Sequence, residues 1–268
     1  MDSTSPTLHT TELGQRGSRV VFCHGLFGQG KNWSTVAKAI AEDHRVTLVD
    51  MPNHGRSPHT AGFAYPTMAD TVAGLLSADD PVALVGHSMG GKAAMLVALR
   101  HPELVERLCV VDVAPAAYRH QGEFAGYVEA MRGLDLGSLS RRGEADEAMA
   151  GAVPDPVIRA FLLQNLRRET SEDGEDSWRW QVNLDVLGAH LDQLGGWPAE
   201  QLQDATPYEG PVLWLRGETS GYVRDEHAPA MDALFPRNRR VTIKNAGHWL
   251  HSEQPQVFVE VLRRFLEA

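Results

Sequence analysis

Apolar residues along the chain gather in short β-branched runs that alternate with longer stretches of helical periodicity. Six runs stand out: Arg19–Cys23, Arg45–Val49, Val82–Val85, Arg107–Val111, Val212–Leu215 and Arg240–Ile243. Each ends near Gly, Asp or another turn former, the pattern of strands buried on both faces of a parallel sheet. Thr7–Leu13 reads as an additional edge strand. Apolar positions three and four apart predict amphipathic helices over Asn32–Ala41, Thr67–Leu76, Met89–Arg100, Glu226–Phe235 and Pro255–Leu266. This alternation predicts a doubly wound, mostly parallel α/β sheet.

The alternation stops between Pro115 and Tyr208. Helical patterns continue at Glu123–Arg132, Pro156–Arg168 and Leu184–Leu194, without a strand run of the buried type. Glu169–Asp176 holds five acidic residues in eight and reads as a solvated tip. The stretch is too long for an ordinary connection. Residues 115–207 are therefore expected to form a helical cap inserted into a core of 1–114 and 208–268.

Composition narrows the function classes. Lys and Arg total 25 against 35 Asp and Glu, a net charge of −10, which argues against nucleic acid or an anionic membrane as partner. No apolar run approaches the eighteen or so residues of a membrane span. Met1–Thr11 is polar and lacks the features of a secretory signal. Cys23 and Cys109 sit inside apolar runs and read as buried thiols of a reducing, cytoplasmic setting. Twelve histidines are many, but none shows metal-ligand spacing, so no metal is expected. Oligomeric state stays open.

The strongest chemical signal is Gly86-His87-Ser88-Met89-Gly90, between a strand run and a helix pattern. G-x-S-x-G in that context is a nucleophile elbow: a strained turn lifts the Ser88 hydroxyl above the sheet, and bordering glycines leave room for backbone. The following helix aims its N-terminal N–H groups at the space where an oxyanion forms. Ala246-Gly247-His248-Trp249 follows the last strand run. It offers His248 as general base, in the nucleophile-first, histidine-last order of α/β-hydrolases. His251 is the fallback, expected to be exposed or cap-facing. His24-Gly25-Leu26-Phe27-Gly28 is placed to supply a second oxyanion N–H, that of Leu26, beside Met89, with His24 as a brace.

The same loop carries a rival reading. Gly25 to Asn32 nearly spells a phosphate-binding loop, with Asp112 as the strand-end aspartate. Asn32 stands where a Ser or Thr hydroxyl must ligate Mg²⁺, and Ser88 and His248 would go unused. The hydrolase reading is preferred.

The acid is less obvious. It is expected after Val212–Leu215, but Ser220 stands there, and a hydroxyl cannot balance an imidazolium as a carboxylate does. Asp112, at the end of Arg107–Val111, is the leading candidate, with Glu218, Asp225 and Asp185 as alternatives.

Val85–Lys92, His24–Gly28, Val111–Pro115, Trp178–Asp185 and Ala246–Trp249 together resemble the small cytosolic α/β-hydrolase esterases of the YbfF type. The resemblance implies a carboxylesterase, and also thioesterase chemistry, with short acyl groups, a helical cap and no cofactor. It implies Ser88 as nucleophile, His248 as base and Asp112 as acid. Gly221 departs from the family pattern, where Pro is common. Phe27, Trp178, Trp180 and Trp249 are expected to border a small-molecule ester substrate. Two other readings use the same residues. One is a lyase or C–C hydrolase binding a carboxylate through Arg119, Arg167 or Arg168; the other is a non-catalytic ligand sensor.

Overall fold

A computed structural model describes residues 7–118, 122–170, 173–174 and 176–268. Arg119 and part of the acidic stretch (Ser171, Glu172 and Glu175) lie outside the described residues, as do Met1–Pro6 of the polar N-terminus. The strands are β1 (Thr10–Leu13), β2 (Arg19–Cys23), β3 (Arg45–Val49), β4 (Val82–His87), β5 (Val105–Val111), β6 (Leu166–Thr170), β7 (Asp176–Trp180), β8 (Val212–Gly217) and β9 (Asn238–Ile243). The main sheet runs β1-β3-β2-β4-β5-β8-β9 and is parallel except for β1, which pairs antiparallel with β3. All six apolar runs and the edge strand are therefore found. β1 and β9 are the least buried of them because they close the two edges of the sheet.

Period-two alternation divides the core into two layers. Val21, Cys23, Leu84, Leu108 and Val110 face one side. Val20, Phe22, Val85, Cys109 and Val111 face the other. Helices α1 (Ser34–Ile40) and α11 (Pro255–Glu267) cover the second side with Val36, Ile40, Phe258 and Leu262. Helices α2 (Tyr65–Ala73) and α3 (Met89–Arg100) cover the first. Each buried Leu or Phe contributes roughly 1.5–3 kcal/mol. Both cysteines are buried and unpaired, and burial pushes the Cys23 thiol up to about 12.

Between β5 and β8 lie α4 (Gly122–Arg132), α5 (Arg142–Met149), α6 (Pro156–Leu163), α7 (Leu184–Ala189) and α8 (Leu191–Gly195), plus the β6–β7 hairpin. Two expectations need correction here. The helix over Pro156–Arg168 stops at Leu163, and the chain from Leu166 pairs with Asp176–Trp180. Helical spacing at its start hid an alternating strand, with Leu166 opposite Trp180 and Arg168 opposite Trp178. Arg168–Asp176 and Arg179–Glu169 ion pairs bridge its strands, so both ends of the acidic stretch belong to the hairpin. Leu184–Leu194 is two helices, broken at His190, whose backbone leaves helical geometry. The remaining helices are α9 (Ala228–Leu234) and α10 (Leu250–Glu253). No helix among the described residues is long and apolar enough to cross a membrane.

Connections after β2 and β4 leave toward opposite sides of the sheet, which opens a crevice at the carboxyl edge between them. Gly86 and Gly90 make the turn there possible. A Cβ on Gly86 would lie 2.3 Å from the Gly90 carbonyl oxygen, and one on Gly90 2.5 Å from that of His24. Both obstacles are backbone and cannot swing aside. Gly86→Ala and Gly90→Ala are each expected to cost about 2–3 kcal/mol, read as a lower urea midpoint with unchanged m-value.

Candidate active site

Ser88 caps α3 with φ 53° and ψ −117°, a backbone region that non-glycine residues occupy only under constraint. Its N–H donates to the Val111 carbonyl of β5 at 3.0 Å. The turn is thereby tied to the neighbouring strand. Phe27 and Asp112 also hold positive φ, 60° and 50°, so three strained residues converge on one edge of the sheet. Met89 begins α3, and its N–H has no intrahelical partner. Leu26 and Ser88 border the same two cavities.

Asp112 is fully buried. Its Oδ1 accepts from Gly217 N–H at 3.1 Å, and its Oδ2 meets His248 Nδ1 at 2.7 Å and the Ser220 hydroxyl, which donates to it. Ser220, standing where sequence reasoning looked for an aspartate, thus hydrogen-bonds the carboxylate supplied by the adjacent strand. The alternatives point elsewhere. Glu218 accepts from Asn245 N–H at 3.0 Å, Asp225 is fully exposed beside Arg216, and Asp185 is exposed beside Arg132. Tyr222 stacks on the His248 ring, centroids 4.1 Å apart and planes 22° from parallel. Together the stack and the Asp112 bond fix the ring's tilt and leave Nε2 as the free nitrogen.

Loop 24–32 is held by neutral histidines and by amides. His24 Nε2 accepts from Met51 N–H at 2.9 Å, so Nδ1 carries the proton and donates to Gly25 O at 2.8 Å. His54 likewise accepts from Phe27 N–H at 3.1 Å. Asn165 donates to Phe27 O at 2.8 Å, and Asn32 to Gln164 at 2.9 Å. Asn32, the residue that weakened the phosphate-loop reading, therefore ties this loop to the segment between β5 and β8. Arg167 donates to the Gln29 side chain at 3.1 Å and to Gln164 O at 2.7 Å. Neither it nor Arg168 lines the cavities at Ser88.

Two cavities meet at Ser88. The first is walled by His248, Trp249, Phe27, Trp33, Phe161 and His251 among others. The second includes Met89, Lys92, Tyr65, Tyr118, Leu194 and Tyr222. Phe27 and Trp249 line a cavity as expected. Trp178 and Trp180 do not: their indole N–H groups donate to Leu139 O at 2.8 Å and Met131 O at 3.1 Å, inside the β5–β8 segment. Their i, i+2 spacing marks a strand face packed on neighbouring helices. His251, expected to be exposed or cap-facing, is buried with its ring 4.3 Å from that of Trp33, and it lines the first cavity together with Phe161 and Ile158. Sequence reasoning missed Tyr118, Tyr222 and the part Lys92 plays in the second cavity. Lys92, buried four residues after the serine, was the one available signal.

Comparison with known proteins places this geometry in context. The model of the alpha/beta hydrolase fold family matches residues 18–255. A mouse protein named sn-1-specific diacylglycerol lipase ABHD11 is 40% identical over 255 residues, 92% of this chain and 80% of the mouse chain. Esterase YbfF of Escherichia coli is 31% identical over 262 residues, 96% of each chain. Among solved structures, a marine microorganism esterase superposes with a TM-score of 0.90 at 32% identity, covering 97% of this chain and 100% of its own.

Burial holds His24 down to about 4. It takes His54 to about 3, helped by His24, and His251 to about 3, helped by His248. His87 is lowered for the same reason. These folded-state values lie below the unfolded value near 6.5, so the unfolded chain binds more protons in acid. The stability they contribute is complete above pH 6.5 and falls as pH drops toward 4. The urea midpoint is expected to decrease over that window, with up to about 1.4 kcal/mol per pH unit from each histidine. His54→Gln is expected to flatten the slope.

Proposed function

The chain belongs to the α/β-hydrolase family and hydrolyses esters, and we propose that it does so through an acyl-enzyme on Ser88. The observation that carries the reading is the buried Asp112–His248 pair at 2.7 Å, on the wall of the cavity that also contains the strained Ser88. His248 Nε2 takes the Ser88 proton as the hydroxyl oxygen bonds to the acyl carbon. The N–H groups of Leu26 and Met89 stabilise the oxyanion. The ester C–O bond then breaks, and the alcohol leaves with the proton from His248. Water, deprotonated by the same histidine, attacks the acyl-serine and releases the acid.

The placement of His248 orients the substrate. It borders the first cavity and not the second, so the departing alcohol, which must receive its proton, belongs in the first. The acyl chain then lies in the second, which Leu191, Leu194 and Lys92 help to line. Short acyl groups are the ones it takes. Residues 115–207 act as the cap: Phe124, Ile158 and Phe161 from this segment wall the first cavity. Soluble small-molecule esters are the substrates, and the work is done inside the cytoplasm.

Ser88→Ala is expected to abolish hydrolysis of p-nitrophenyl acetate and butyrate and the burst of p-nitrophenol. Asp112→Asn and Asp112→Ala are expected to lower kcat by about 10³–10⁴. Mass spectrometry of acid-quenched enzyme should find the acyl group on the peptide that contains Ser88. Near-wild-type rates in both Asp112 variants would remove it as the acid.

A further inference from the structure

Lys92 is a buried amine that the proposed hydrolytic cycle does not use. It sits one helical turn after Ser88, and its N–H donates to the Ser88 carbonyl at 3.0 Å. Helical side chains lean toward the N-terminus, which brings the amine back alongside the serine's turn. The residue is 2% exposed and lines the cavity assigned above to the acyl group.

The surroundings of the amine are unusual. Nζ donates to Gly195 O at 2.7 Å and to Gly196 O at 2.5 Å, at the end of α8. It stands 4.7 Å from the centre of the Tyr118 ring and 5.5 Å from that of Tyr65. Both tyrosine hydroxyls are engaged elsewhere, with Tyr222 O and Leu194 O. No carboxylate among the described residues offsets the charge, and burial alone holds the amine down to about 7. Two carbonyls and two ring faces surround the amine, and its two bonds to the carbonyls use both N–H groups of the neutral form. Once protonated it gains a third N–H, and no Asp or Glu is among the residues lining this cavity to receive it. An ammonium formed there beside apolar walls attracts an anion far more strongly than it would in water.

Resting on the Ser88 reading above, we propose that Lys92 is the specificity residue of the acyl pocket and that it selects acyl groups ending in a carboxylate. The substrates are then monoesters of short dicarboxylic acids. The single helical turn between Ser88 and Lys92, about 5.4 Å along the axis, fits an acyl chain with only a few carbons between the two carbonyl carbons. The Arg residues first considered for a carboxylate are not in this cavity, and Arg167 is committed to Gln29 and Gln164. Lys92 also ties α3 to the end of α8, so its loss is expected to have a general effect on the pocket. The informative readout is therefore a ratio between two substrates of one shape.

The experiment compares monoethyl succinate with ethyl 4-methylpentanoate, its neutral isostere, in wild type and Lys92→Met. Wild type is expected to favour the succinate ester in kcat/KM by at least about tenfold, the range of a charge-assisted hydrogen bond. In Lys92→Met the ratio is expected to fall below one, whatever the absolute rates. Calorimetric titration of wild type with succinate, in two buffers of different ionisation enthalpy, supplies a measurement that needs neither variant nor turnover. It is expected to show binding with proton uptake near pH 7.5, because a bound carboxylate returns the proton to Lys92. Equal or better hydrolysis of the neutral ester by wild type would overturn the Lys92 assignment while leaving Ser88 intact. If neither ester is cleaved and no acyl-serine forms, the Ser88 reading fails; succinate titration then decides Lys92 alone, and absence of binding overturns it.

Discussion

A carboxylate removed from water must have every lone pair answered by a donor, or the fold loses several kcal/mol to desolvation. Asp112 is that group here. It sits at the end of β5 with no exposed surface, and its donors come from β8, from the loop after β8 and from the loop after β9. Satisfying it brings Gly217, Ser220 and His248 to one point. The same strand edge fixes the serine, because the Val111 carbonyl, one residue earlier, accepts the Ser88 N–H. A single buried carboxylate thus sets the geometry of Asp112, His248 and Ser88 together.

The outer wall of the site is fixed by uncharged polar groups. Gln29, Asn32, Gln164 and Asn165 form a chain of amide hydrogen bonds between the loop after β2 and the start of the β6–β7 hairpin. Such contacts specify direction without the desolvation cost of ions. Beside them, His24 and His54 serve as neutral donors and acceptors with fixed tautomers. Burial removes them from acid–base chemistry near neutrality. His248 has one edge on a cavity and the other on the Asp112 carboxylate.

Lys92 and the tyrosines give the second cavity a character unlike the first. The first is aromatic and imidazole-lined, while the second is mostly apolar and lined by tyrosines and one buried lysine amine. Ser88 borders both compartments.

Period-two and period-3.6 patterns were enough to find every strand of the main sheet and the flanking helices, because burial on both faces leaves the inner strands almost wholly apolar and the edge strands follow from the alternation around them. Gly86 to Gly90 was legible for a similar reason: a backbone approach of under 3 Å at Gly86 and Gly90 excludes all other residues. Ala246 to Trp249 was legible from its place directly after the last strand. The hairpin at Leu166–Trp180 was not, since its alternation begins where a helical pattern is still running and its partner strand opens in an acidic run. Nor could local sequence choose between Asp112, Glu218, Asp225 and Asp185, or show that Ser220 donates to Asp112. Those contacts join residues 108 and 136 positions apart. Sequence by itself determined the sheet, the elbow and the histidine, each written in adjacent residues. Only tertiary structure decided the partners of Asp112, the stacking of Tyr222 on His248 and the burial of Lys92 at the second cavity, because which groups share a space without water is set by the packing of distant segments.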